Sequence, residues 1–285
     1  MKILLSLMKY KVSLAVTFTT VTGYLIYSGT FDLKLLYTAL GVFILAGGTS
    51  ALNQIQERKY DARMQRTQHR PLPSKQTTLK TALIISILLM LAGLSILYFL
   101  SGKISAGLGL FNIFWYNIIY TYLKRITPFA VVPGSLVGAI PAIIGWSAAG
   151  GFIFDPKIII IAYFLFIWQI PHFWFLLLKY GKEYEEAGFP SISKVFNQQS
   201  LKSLTFIWII ATSVSTLMFP LFNIISIPLL VILIFILNIW LVITFIRITF
   251  KLDIGINFTR AFATINVFMI AILLILTVEA LIISK

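Results

Sequence analysis

Residues 33–65 read LKLLYTALGVFILAGGTSALNQIQERKYDARMQ. Residues 33–52 are apolar apart from Lys34 and a few hydroxyls, and about 20 such residues are needed to cross a hydrocarbon core of roughly 30 Å as a helix. No proline ends the run; it turns polar and places Asn53, Glu57, Asp61 and Gln65 at steps of four. Four residues rotate a helix by about 400°, so each step drifts by about 40° and the four side chains form one stripe at the membrane edge. A spanning helix that carries an oxygen-rich face out of the bilayer is the expectation, and it fixes the class as an all-α membrane protein.

The same ruler finds nine candidate transmembrane helices, at about 12–30, 33–52, 78–100, 104–121, 131–149, 157–178, 204–222, 226–246 and 261–283. The fifth contains Pro133, Pro141 and several glycines, which spanning helices tolerate where neighbours satisfy the freed backbone groups. Composition agrees, since 59% of the 285 residues are hydrophobic and 11% are charged, against roughly a quarter charged in an ordinary soluble domain. No linker separates a soluble part, so residues 1–285 are read as one membrane domain.

A formal charge of +14 raises the question of a nucleic-acid partner, and its distribution argues against one. Lys2, Lys9 and Lys11 precede the first span, and Arg58, Lys59, Arg63, Arg66, Arg70, Lys75 and Lys80 follow the second. Lys124 and Arg125 follow the fourth, Lys179, Lys182, Lys194 and Lys202 the sixth, and Arg247, Lys251 and Arg260 the eighth. Only Lys34, Lys103, Lys157 and Lys285 fall on the other side, so the positive-inside rule puts the N-terminus in the cytoplasm and the C-terminus outside. The run after Lys9 and Lys11 is as long as a span and has no small-residue cleavage site before Phe31, so it is read as a retained helix. Absence of cysteine excludes disulfides, thiolate metal sites and cysteine nucleophiles, and says nothing of the compartment.

The long basic-side connections, about 53–77 and 179–203, hold most of the acids and are where function is expected. Asn53, Glu57 and Asp61 offer oxygen ligands to a hard cation, and magnesium is typically held by one or two carboxylates together with substrate phosphate oxygens. Arg58, Lys59, Arg63, Arg66 and Arg70 come directly after, and the arginine fork matches phosphate. The plainer alternative is a solvated helix end whose ion pairs contribute little.

Further along, Tyr116, Tyr120 and Lys124 stand at steps of four, so that lysine and tyrosine can meet a diphosphate from one face; interfacial tyrosines and a snorkelling lysine give the same pattern. His172, within Trp168-Gln169-Ile170-Pro171-His172-Phe173-Trp174, is an ionisable group at membrane depth, which marks a candidate site, although an aromatic belt with a hydrogen-bonded histidine competes. His69, Glu185 and Glu186 are read as surface residues.

At these residues the chain resembles the UbiA superfamily of intramembrane prenyltransferases, and within it the haem-type branch. The family's Asn-x3-Asp-x3-Asp block, continued by Met, Arg-Thr and Arg-Pro-Leu, is matched by Asn53, Glu57, Asp61, Met64, Arg66, Thr67, Arg70, Pro71 and Leu72. Tyr120, Thr121, Leu123, Lys124, Arg125 and Thr127 form a second block, Gly138, Ala139, Pro141, Gly145 and Trp146 a third, and Trp168, Gln169, Pro171, His172, Phe173 and Trp174 a fourth. Glu57 and Glu183 stand where the family has aspartate, each arm one methylene longer, with Tyr184, Ala187, Gly188 and Pro190 kept around the latter. The last third matches only as hydrophobic spans.

The resemblance implies a UbiA-type bundle around a central cavity open to the cytoplasmic side of a bacterial inner membrane. It implies transfer of a farnesyl group from farnesyl diphosphate to a vinyl group of haem B, giving haem O, with haem as substrate and Mg²⁺ as cofactor. Asn53, Glu57, Asp61 and Glu183 are implied as catalytic metal ligands, Arg66, Arg70, Tyr120 and Lys124 as diphosphate contacts, and His172 and Trp168 as haem contacts. Haem A synthase or terminal-oxidase assembly factors are the implied protein partners. Two other readings stand beside it: another aromatic acceptor such as a quinone precursor, and a transporter or lipid-binding protein, which the clustering of acids at one face disfavours.

Overall fold

The computed structural model describes residues 1–250 and 258–283; Lys251 and Lys285, two of the charges used to read topology, lie outside the described residues. Among the described residues every regular element is helical. In chain order these are α1 (Lys2–Leu7), α2 (Tyr10–Ser28), α3 (Leu33–Asp61), α4 (Leu79–Ile96), α5 (Lys103–Phe114), α6 (Thr121–Leu123), α7 (Val131–Gly134), α8 (Leu136–Ala148), α9 (Pro156–Lys179), α10 (Gly181–Ala187), α11 (Gln198–Leu221), α12 (Pro228–Phe250) and α13 (Phe258–Ile283). Wider π turns extend α4 over Leu97–Ser101 and α5 over Trp115–Tyr120.

Seven of the described segments are long and apolar enough to cross a membrane: α3, α4 with its π turn, the run from Pro128 to the end of α8, α9, α11, α12 and α13. Of the nine expected spans, α2 and α5 do form as helices but are more polar. The hydroxyls of Thr17, Thr19, Thr20 and Thr22 on α2 bond back to carbonyls three or four residues earlier, and α5 and its π turn carry Asn112 and Asn117. Apolar side chains such as Leu88 and Leu91 on α4, and Ile232, Ile236 and Ile239 on α12, point outward. A surface of that kind is stable against lipid and aggregation-prone in water, which makes this an integral membrane protein.

Each long helix packs on the next, α2 on α3, then α4, α5, α8, α9, α11, α12 and α13, and α13 returns to α2 to close a ring. A seam crosses the ring where α2 meets α8. A Cβ on Gly23 would overlap the Ala142 carbonyl, and one on Gly145 would overlap the Thr20 carbonyl, so the two backbones touch because these side chains are missing. On one side of the seam α9 and α11–α13 pack solidly around Phe164, Phe175, Phe219, Phe245 and Phe268. On the other, a cavity of about 330 Å³ opens between α2, α3, α5, α8 and α9.

Candidate active site

The polar stripe on α3 forms one wall of this cavity. Asn53, Glu57 and Asp61 line it at only 1%, 6% and 3% exposure, so two carboxylates are withdrawn from solvent and each requires a partner. Each has one, from a different part of the chain. Arg70 Nη1 donates to both Asp61 oxygens at 2.8 Å, Lys124 pairs with Glu57, and Lys9 Nζ donates to Asn53 Oδ1 at 2.8 Å. Lys9 reaches in from the joint between α1 and α2, where its φ of +46° turns the chain through a conformation that non-glycine residues rarely adopt. Burial, reinforced by the charge of Arg70, pushes the Lys9 ammonium down to about 7.

The opposite wall is aromatic. Tyr116 and Tyr120 stack at 6.0 Å, Tyr120 stacks on Phe173 of α9 at 6.1 Å, and the Lys124 ammonium lies 5.5 Å from the Tyr120 ring centre and 5.7 Å from that of Phe189. Over the mouth the two long connections meet. Arg66 donates from Nη2 to the Tyr184 hydroxyl at 3.1 Å, its backbone N–H donates to Glu183 Oε2 at 3.1 Å, and Tyr60 packs on Phe189 at 4.5 Å. Beneath this polar head the lining turns apolar through Val16, Val42, Leu45, Ala46, Gly109 and Ile113. The site can therefore take a strongly anionic head group that brings cations with it, and a hydrocarbon tail below.

The sequence profile of the UbiA prenyltransferase family matches residues 16–253. The chain belongs to this family. Similar proteins include the protoheme IX farnesyltransferase of Oleidesulfovibrio alaskensis, 32% identical over 221 residues that span 78% of each chain. Another is that of Geobacter sulfurreducens, 38% identical over 198 residues covering 67% of this chain and 71% of the relative. Among solved structures, one of digeranylgeranylglyceryl phosphate synthase superposes with a TM-score of 0.80 at 18% identity over 98% of both chains. A UbiA homolog from Archaeoglobus fulgidus bound to DMAPP and Mg²⁺ gives 0.68 at 12% identity, covering 96% of this chain and 99% of the other. At such identities these two likenesses establish the UbiA fold.

Of the site residues expected from sequence, Asn53, Glu57, Asp61, Arg66, Arg70, Tyr120 and Lys124 all line this same cavity. Gln65 does not extend the stripe, because α3 ends at Asp61 and Gln65 is exposed in the turn beyond. Glu183 lies at the mouth with its carboxylate on the Arg66 N–H. Among the described residues no three acids or histidines converge on a point. The donor set of one amide oxygen and two carboxylates suits magnesium carried in with a diphosphate, which supplies the remaining oxygens, and does not suit a cage made of protein alone.

Trp168 and His172 turn away from the cavity toward α13. Trp168 Nε1 donates to the Ile265 carbonyl at 2.8 Å, His172 Nδ1 is 3.0 Å from Asn266 Oδ1, and the His172 ring lies 4.8 Å from those of Trp168 and Phe262. Their neighbours Gln169 and Phe173 face the cavity instead. Sequence reasoning passed over Lys9 and Phe189 as site residues, and placed Tyr184 and Phe173 in the family's blocks without giving them a role. Lys9 was legible only as a topology charge, because nothing near it in the chain announces a partner 44 residues away.

Proposed function

We propose that this UbiA-family chain transfers the farnesyl group of farnesyl diphosphate to a vinyl group of haem B, releasing diphosphate, and that one water adds to the vinyl carbon left positive, losing a proton, to form haem O. The observation that carries the reading is the union, in one cavity, of a buried carboxylate stripe met by three cations and an apolar shaft directly beneath it. The names of the similar proteins from Oleidesulfovibrio and Geobacter support the haem acceptor, and the Archaeoglobus homolog bound to DMAPP and Mg²⁺ supports a metal-borne prenyl diphosphate.

Asn53, Glu57 and Asp61 are the residues that would hold Mg²⁺, and Glu183 would help hold a second ion. Bound there, Mg²⁺ would screen the diphosphate charge and ease its departure. Arg66, Arg70 and Lys124 then meet the diphosphate oxygens, with Tyr120 donating a hydrogen bond, and they neutralise negative charge as it grows on the leaving group. The allylic centre left at C1 is stabilised by resonance, and the electron-rich vinyl group attacks it inside a cavity that limits quenching by water. Phe173, stacked on Tyr120, offers a flat surface to the acceptor. Trp168 and His172 face α13, so a haem contact by them requires part of the macrocycle to reach that side. Their hydrogen bonds to α13 fit a second role, holding the rotation of α9.

The proposal includes nine spans in one membrane domain of a bacterial inner membrane, counting α2 and α5, with the N-terminus and the cavity mouth on the cytoplasmic side and the C-terminus outside. Lys9, Arg66, Arg70 and Lys124 all gather at that mouth, in keeping with the positive-inside rule. Partnership with haem A synthase or terminal-oxidase assembly factors is expected from the product. The test is incubation of purified protein with haem B, farnesyl diphosphate and Mg²⁺. Haem O should accumulate, stop on chelation and resume on Mg²⁺ addition; turnover that ignores the chelator removes the metal site, and conversion of a quinone precursor in place of haem B removes the acceptor.

A further inference from the structure

One helical turn below the aromatic wall the cavity contains a second polar station that has no part in farnesyl transfer itself. Asn112 lies four residues before Tyr116, and Gln169 four before Phe173, so both amides sit a turn deeper on cavity-facing surfaces. They flank one turn of α8 from two sides. Asn112 Nδ2 donates to the Val137 carbonyl at 3.4 Å, and the Gln169 side chain occupies the space that a Cβ on Gly138 would fill. Pro141 explains why that carbonyl is available: it is the residue whose N–H would bond Val137 in a regular helix, and proline has none. What remains are two buried amide oxygens, Asn112 Oδ1 and Gln169 Oε1, without a hydrogen-bond partner among the described residues. Buried acceptors left in that state are rare and are commonly met by a bound donor. An ordered water needs two to four polar partners, and these two orphaned oxygens, both on cavity-lining residues, are available to serve as two of them.

We propose that Asn112 and Gln169 form a water-binding site that delivers the nucleophile completing the hydroxyethyl group, an inference that rests on the proposed farnesyl transfer. Acceptors on both sides take the two hydrogens of the water, so its oxygen lone pairs face the cavity. The vinyl terminal carbon bonds to C1 of the farnesyl group as the C1–O bond breaks, and the electron pair leaves with diphosphate. Positive charge is then left on the vinyl carbon attached to the porphyrin. The water oxygen bonds to that carbon, and the proton it loses ends on the released diphosphate, which is far more basic than either amide. Gly138 belongs to the site because any side chain there displaces Gln169.

The test compares wild type, Gln169→Leu, Gln169→Glu and the Asn112→Leu/Gln169→Leu double variant, each with haem B, farnesyl diphosphate and Mg²⁺. Diphosphate release and the mass of the haem product are measured together. The leucine variants should still release diphosphate and attach farnesyl, but a product lighter by one water, formed by proton loss, should rise relative to haem O by about tenfold, the rate equivalent of one hydrogen bond to a developing charge. Gln169→Glu, which keeps an acceptor, should make haem O at nearly the wild-type proportion. A leucine variant that yields haem O in the wild-type proportion overturns the water site, and so does a folded double variant that transfers no farnesyl at all. Gln169→Leu alone keeps the test decisive if the double variant fails to insert. Failure of the wild type to convert haem B defeats the farnesyl-transfer reading instead, which separates the two.

Discussion

The Asn53 side-chain N–H donates to the Thr121 hydroxyl at 3.1 Å, and that hydroxyl gives its own proton to the Tyr116 carbonyl at 2.8 Å. The same carbonyl takes the Thr121 backbone N–H across the π turn that ends α5, so the threonine oxygen is left able only to accept from Asn53. Lys9 as the ammonium can only donate, and it meets the other end of the amide. Together they define which way Asn53 points: Oδ1 toward the cavity and Nδ2 away from it. A wider turn at Trp115–Tyr120 thus orients the proposed metal ligand Asn53 on another helix, which is a use that π segments often have near functional sites.

Thr121→Val should preserve packing and release that orientation, so that the amide presents N–H to a cation for part of the time. Turnover is expected to fall about tenfold at limiting metal, in line with one lost hydrogen bond, and to recover at high Mg²⁺, while Thr121→Ser behaves as wild type. Measuring turnover against Mg²⁺ concentration decides it; a valine variant with an unchanged Mg²⁺ requirement would mean that Asn53 is oriented by Lys9 alone.

Lys9 is expected to swing onto the diphosphate. Its ammonium shares Asn53 with the proposed metal, and a bound diphosphate offers it a stronger partner than an amide oxygen. Lys9→Met should raise the KM for farnesyl diphosphate by about tenfold or more and leave the affinity for haem B nearly unchanged. Equal losses toward both substrates would instead mark Lys9 as a brace for the joint between α1 and α2.

Glu57 tests the departure from the family pattern. Its carboxylate reaches Lys124 across the cavity, and an aspartate there is one methylene short of that contact. Glu57→Asp should therefore lose part of the activity and Glu57→Ala nearly all of it, both read by haem O formation in membranes with matched protein content. A gain of rate in Glu57→Asp would show that Lys124 moves to meet the shorter arm. Losses as large as those of Glu57→Ala would show a site fitted to glutamate.

The parts of this site legible in the sequence are those that a single helix determines. Asn53, Glu57 and Asp61 share a face because four-residue steps repeat on an α-helix, and the stripe failed at Gln65 because the point where a helix stops depends on the turn beyond its last residue. On α9 the same arithmetic separates Trp168 and His172 from Gln169 and Phe173 by about 100°, but helical spacing does not say which of two faces looks into a cavity. Position around the ring decides that, and α13, distant in sequence, takes the Trp168–His172 face. The reach of Lys9, Tyr184 and Phe189 into the cavity was hidden for the same reason, since each comes from a segment whose placement depends on contacts far along the chain.

The seam between α2 and α8 borders the cavity, and it rests on two missing side chains. A Cβ on Gly145 overlaps the Thr20 carbonyl, and one on Gly23 overlaps the Ala142 carbonyl; both obstacles are backbone and cannot rotate aside. Gly145→Ala must therefore separate the helices and carry Pro141 and Gly138, which line the cavity, with them. Overpacking of this kind costs about 1–3 kcal/mol, so a lower unfolding temperature in detergent is expected, together with a turnover loss larger than the fraction of protein unfolded. Gly107 is the internal comparison, because a Cβ there meets nothing within 4 Å, and Gly107→Ala should leave both quantities near wild type. If Gly145→Ala and Gly107→Ala melt alike and turn over alike, the seam does not hold the cavity open.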